Sequence, residues 1–153
     1  MLPFKKILCP TDFSEPSYQA LDAARELAAA FSSSLLVIHV AALVQPLTFG
    51  GTTPAAFNVD HYQRELVENS QAFLESLIAE RFPAGFDVKA IVRLGAPAYE
   101  IAETAEKEKV DLIVIATHGR TGLERFIYGS VAERVLRFAS CPVLAIHAAQ
   151  VEK

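Results

Sequence analysis

Five short apolar runs, set apart by segments of helical length, constrain this chain more than any other feature. They occupy residues 6–10, 35–40, 88–94, 110–116 and 142–147. Runs of this length, rich in Val, Ile and Leu, read as strands buried on both faces of a parallel sheet. Between them the apolar residues recur at helical spacing: Leu21, Ala24, Leu27, Ala28 and Phe31; then Tyr62, Leu66, Phe73, Leu74, Leu77 and Ile78; then Ile101, Ala102 and Ala105; then Val131, Val135 and Leu136. Strict alternation of strand and helix predicts an open parallel sheet with right-handed crossovers and helices on both faces. The third run, Val88-Lys89-Ala90-Ile91-Val92-Arg93-Leu94, alternates apolar and polar residues, as a strand near a sheet edge does.

Local signals place the ends of these elements. Ser14 is positioned to cap the first helix, Glu15 suits its positive end, and Pro16 is tolerated in its first turn. Ser32-Ser33-Ser34 ends that helix, Phe82-Pro83-Ala84-Gly85 ends the second, and Pro97 opens the third. Ser130 and Glu133 have capping-box spacing at the start of the fourth, which Ala139-Ser140-Cys141-Pro142 stops. A chain of 153 residues with 52% hydrophobic residues suits one α/β domain spanning 1–153. Residues 41–58, rich in Pro, Gly and Thr, are expected to form a mobile loop, and 148–153 a tail.

Several function classes are disfavoured. The formal net charge is -4 with no dense basic run, so nucleic acid is not an expected partner. No apolar stretch reaches the length of a membrane span, no secretory pattern follows Met1, and a cytoplasmic location is expected. Cys9 and Cys141 have no CxxC partner and read as reduced packing residues, while the four histidines lack zinc-site spacing. There is no GxxxxGK[ST] run and no glycine-x-glycine after the first strand, which argues against a P-loop or a dinucleotide-binding unit. The third strand ends Arg93-Leu94-Gly95, without the acid of a phosphoacceptor receiver domain.

The chemistry concentrates after the fourth strand. Leu112-Ile113-Val114-Ile115-Ala116 runs into a glycine-bearing loop, and Gly129-Ser130 opens a helix. Glycines allow backbone N–H groups to approach an anion, and a helix start presents unpaired N–H groups at a positive dipole end. Strand, glycine loop and helix start together have the anatomy of a phosphate site. The spacing resembles the ATP-binding branch of the universal stress protein family, whose signature is Gly, two residues, Gly, nine residues, Gly, then Ser or Thr. The frame here is Ala116, Thr117-His118, Gly119, residues 120–128, Gly129 and Ser130. Ala116 stands where the signature has its first glycine. The segment from Lys5 to Ser14 and the pair His39-Val40 resemble the same family.

The resemblance implies a strand order of 3-2-1-4-5. Ligands of such sheets bind at the switch point, here between the first and fourth strands, at their carboxyl ends. Carried over by position, it implies that Pro10, Thr11, Asp12, Val40, Ile115 and Ala116 line an adenosine pocket. Gly119, Gly129, Ser130 and Val131 would hold phosphates. The implied ligand is ATP, or AMP or ADP, with Mg²⁺ or Mn²⁺ held mainly by the phosphates. No catalytic residue and no protein-borne metal site is assigned. Apart from the resemblance, Ser130 also reads as a helix cap and Asp12 as a turn residue. The implied role is a nucleotide-responsive stress-regulatory module with an unidentified protein partner. Two alternatives stand beside it: a slow ATPase or self-phosphorylating protein, and a dimeric scaffold without nucleotide, which the Ala116 departure suggests. In the family's order Val143–Ile146 is an apolar edge strand, and a homodimer through it is expected.

Overall fold

A computed structural model describes residues 1–45, 58–118 and 129–147. The expected loop residues 46–57, Gly119 with residues 120–128, and the tail 148–153 lie outside that set. The elements follow the sequence pattern: β1 (Lys6–Pro10), α1 (Glu15–Phe31), β2 (Ser34–Ala41), α2 (Val59–Arg81), β3 (Val88–Leu94), α3 (Pro97–Lys107), β4 (Leu112–Ala116), α4 (Ser130–Phe138) and β5 (Val143–Ile146). They build one five-stranded sheet in the order β3-β2-β1-β4-β5, with every pairing parallel.

Side-chain alternation along the central strands divides the core in two. Ile7 and Cys9 of β1, Leu35 and Val37 of β2, and Leu112 and Val114 of β4 face Ala20, Leu21, Ala24 and Ala28 of α1 and Leu74 and Leu77 of α2. The intervening Leu8, Leu36, Ile38, Ile113 and Ile115 face Ala98, Ile101 and Ala105 of α3 and Ala132 and Val135 of α4. Two buried faces explain the uninterrupted apolar character of β1, β2 and β4. The edge strand β3 keeps Lys89 and Arg93 exposed. The cysteines are free, and burial pushes both thiols up from their ordinary value, Cys9 the more strongly.

The helix faces differ from the sequence expectation in three places. On α2 the buried residues are Ser70, Leu74 and Leu77, while Tyr62 and Phe73 are exposed. On α4 the inner face is Ala132 and Val135, and Leu136 points outward. A nine-residue helix buries a narrow stripe, and α4 packs mainly against α3. Finally, Ser130 does not cap α4. Gly129 is the capping residue and makes no side-chain cap hydrogen bond. By contrast Ser14 caps α1 as expected, accepting the Ser17 N–H at 3.4 Å.

Among the described residues, no helix is long and apolar enough to cross a membrane.

Candidate functional site

The strand order reverses between β1 and β4, and at their carboxyl ends the described residues enclose a cleft of about 270 Å³. That is near the lower end of small-molecule pockets, roughly 300–1,000 Å³. Nine of the residues expected from sequence line it: Pro10, Thr11, Asp12, Val40, Ile115, Ala116, Gly129, Ser130 and Val131. Gly119 lies outside the described residues. Ile38, Pro97 and Ile101 extend the apolar wall, and Ser17, Thr117 and His118 add polar atoms that sequence reasoning did not assign to the site.

The β1 turn is held by hydrogen bonds whose directions are fixed by chemistry. A carbonyl only accepts, so the Ser17 hydroxyl donates to the Ser14 carbonyl at 2.8 Å. Its single proton is thereby used, and the Thr11 hydroxyl must donate to Ser17 Oγ at 2.9 Å. Thr11 Oγ1 in turn accepts the Phe13 N–H at 3.1 Å. The Thr11 N–H donates to the Ile38 carbonyl at 2.8 Å, and the Thr11 carbonyl accepts from His39 Nδ1 at 2.9 Å. Thr11 therefore shapes the wall and offers no proton to a ligand.

Asp12 projects from this turn as an acceptor. Its Oδ1 accepts the Ser14 N–H at 3.1 Å and the Ser14 hydroxyl. Phe13, next along, sits at φ 64°, a left-handed conformation unusual for an aromatic residue. Its ring stacks on His39 with centroids 4.3 Å apart and meets the Phe73 ring edge-on at 4.7 Å. These contacts, with the His39–Thr11 bond, hold the strained turn in place. The role of His39 was not legible in sequence, because it depends on a partner 28 residues away.

The opposite wall is the start of α4. The Gly129 N–H donates to the Thr117 carbonyl at the end of β4. A Cβ at position 129 would lie 2.9 Å from that carbonyl oxygen, so the close approach of helix to strand demands glycine. With Gly129 N–H engaged by the Thr117 carbonyl, the next N–H groups of α4, from Ser130 and Val131, belong to the positive helix end that borders the cleft. Thr117 joins these parts: its N–H donates to the Ile146 carbonyl at 2.9 Å, and its hydroxyl lies 2.9 Å from His118 Nδ1 and 3.3 Å from His147 Nδ1. The cleft thus has an apolar wall, a carboxylate on one side and a helix N-terminus on the other.

Comparison with known proteins identifies the family. The model of the universal stress protein family matches residues 3–147, nearly the whole chain. The chain belongs to the universal stress protein family. Universal stress protein MJ0531 of Methanocaldococcus jannaschii is 40% identical over 143 residues, which is 94% of this chain and 82% of that protein. The solved structure of MJ0577, a universal stress protein of the same organism, superposes with a TM-score of 0.79 at 31% identity, covering 95% of this chain and 97% of that one. A universal stress protein solved in complex with cAMP gives a TM-score of 0.59 at 26% identity, covering 94% of this chain and 97% of its own.

Within this family frame the Ala116 departure has a structural account. Ala116 is the last residue of β4, its φ is not positive, and its methyl packs against the cluster beneath α1 and α2. The position therefore carries no positive-φ backbone strain that would require glycine.

Proposed function

We propose that the cleft binds an adenine nucleotide, ATP in particular and AMP or ADP at the same seat, and that the protein is a nucleotide-responsive regulatory module of the cytoplasm. The observation that carries this reading is the meeting of an acceptor turn and a helix N-terminus, opened by Gly129, across an apolar slot at the sheet's switch point. Pro10, Val40 and Ile115 are suited to sandwich a purine, and Asp12 to accept from its amino group or from ribose hydroxyls. The Ser130 and Val131 N–H groups, with the Ser130 hydroxyl, would receive phosphate oxygens. Gly129 keeps that helix end against β4, and Gly119 belongs to the same proposed phosphate loop. A relative solved with cAMP supports an adenine nucleotide as the ligand class.

The phosphates and water would supply the ligands of an accompanying Mg²⁺ or Mn²⁺. Among the described residues no group of three or more His, Cys, Asp or Glu could hold a metal. The unstrained Ala116 argues against the scaffold alternative, whose support was the missing glycine.

The test is a pair of variants. Gly129→Val forces α4 away from Thr117 and should lower ATP affinity more than tenfold while the far-UV circular dichroism stays native. Asp12→Asn keeps the shape, removes the charge, and should cost about tenfold, the size of a hydrogen bond to a charged group. Native ATP affinity in both folded variants would overturn the assignment.

A further inference from the structure

At the rim of the cleft, on the carboxyl ends of β4 and β5, two imidazoles share one hydroxyl. His118 Nδ1 and His147 Nδ1 lie 2.9 and 3.3 Å from Thr117 Oγ1, and the rings meet edge-on with centroids 5.4 Å apart. Thr117 is 4% exposed, and His118 lines the cleft. The hydroxyl has one proton and two lone pairs. With both rings neutral it donates to one Nδ1, and the other ring reaches it as an Nδ1–H donor. With both rings protonated each Nδ1–H points at Oγ1, and the hydroxyl proton must turn to a new acceptor. Protonation thus adds positive charge beside the N-terminus of α4 and reorients a donor at the same place. The Thr117 carbonyl meanwhile holds the Gly129 N–H, so the pair is coupled directly to the helix end.

We propose that His118 and His147, joined through Thr117, are a proton-loaded anion-binding pair that strengthens the hold on the phosphates of a bound nucleotide as the pH falls. The inference rests on the nucleotide reading of the cleft. His118 acts on the ligand by charge, and His147 is a positioning residue that acts through Thr117. Imidazole is the side chain whose charge ordinarily changes between about pH 5 and 8.

Other ionisable groups among the described residues also stand at this end of the sheet. Asp12 shares the cleft, and Glu15 and Tyr18 lie in the first turns of α1. On α4, Glu133 is paired with Arg137 at 2.8 Å, and Arg134 keeps its charge throughout. His39 donates Nδ1–H to the Thr11 carbonyl in both of its charge states.

The experiment measures ATP affinity of the full chain by calorimetry at about pH 8 and about pH 6, for the native protein, His118→Gln, His147→Gln and the double variant. The ligand's own protonation is common to all four, so the differences belong to the protein. The native protein should gain about fourfold relative to the double variant on acidification, the size expected of a unit charge close to an anion in a wet site. His147→Gln should lose part of that gain. Imidazole ¹⁵N spectra of the nucleotide-free protein provide a separate readout: one ring near neutrality should have an unprotonated Nδ1 and the other a protonated one. Binding at pH 8 with equal pH responses in the native and double-variant proteins would overturn the inference and leave the nucleotide reading standing. Absence of ATP binding at either pH would instead remove the nucleotide reading and this inference with it.

Discussion

At the scale of single residues, the positions that organise the molecule connect distant parts of the chain. Asp111 is one. Its carboxylate accepts the N–H groups of Lys5 at 2.7 Å and Lys6 at 2.9 Å, tying the entry of β4 to that of β1. Those two backbone bonds hold its carboxyl below the usual aspartate value, with the Lys5 and Lys6 charges adding to the effect against a small opposing cost of desolvation. The folded form therefore favours the ionised acid. Its contribution is present above the unfolded aspartate value of about 3.9 and is lost as the pH falls through the lowered folded value. Asp111→Asn should reduce stability at neutral pH and flatten the decline of the melting temperature below about pH 4. An unchanged acid limb in thermal melts of the variant would show that the carboxylate is not coupled to folding. Thr117 is another such residue, bonded to Ile146, Gly129, His118 and His147. It was not legible as a hub because its partners come from elements that only the β4–β5 pairing brings together, whereas the motif residues Asp12 and Ser130 announce themselves by spacing.

At the scale of elements, the strands and helices were legible because burial on two faces leaves a dense apolar signature, and because Ser14, Pro16 and Pro97 mark helix starts by local chemistry. The strand order came from the family resemblance and not from periodicity, since parallel strands give no turn to fix their neighbours. What the pattern misjudged were helix faces. Spacing alone could not tell that Phe73 reaches across to the Phe13 ring while remaining 53% exposed, or that the small Ala132 faces the core in place of Leu136. The start of α4 carries the same lesson for function. The capping-box spacing suggested that the Ser130 hydroxyl closes the helix, yet the contact of Gly129 with Thr117 sets the helix start one residue earlier. That shift leaves Ser130 within the first turn at the cleft, where a hydroxyl suits an anion better than a cap does.

At the scale of the whole molecule, two surfaces set the function proposed for this universal stress protein. One is the cleft. The other is the edge strand β5, where Leu144 is 39% exposed. An apolar edge strand is a surface that pairing would cover. A homodimer through Val143–Ile146 is the expected outcome. Light scattering at micromolar concentration should give twice the chain mass, and Leu144→Lys should give the monomer; a native protein that is monomeric there would contradict this assembly. Dimerisation would set two clefts in fixed relation and give a partner protein one composite surface to read.

The central claim is that the switch-point cleft selects adenine nucleotides. Calorimetric titration of nucleotide-stripped protein with ATP and magnesium, with GTP as the comparison, tests it most directly. Saturable one-to-one binding of ATP, with GTP at least tenfold weaker, is the predicted result. A folded protein that gives no heat with ATP, or binds the two nucleotides alike, would contradict it.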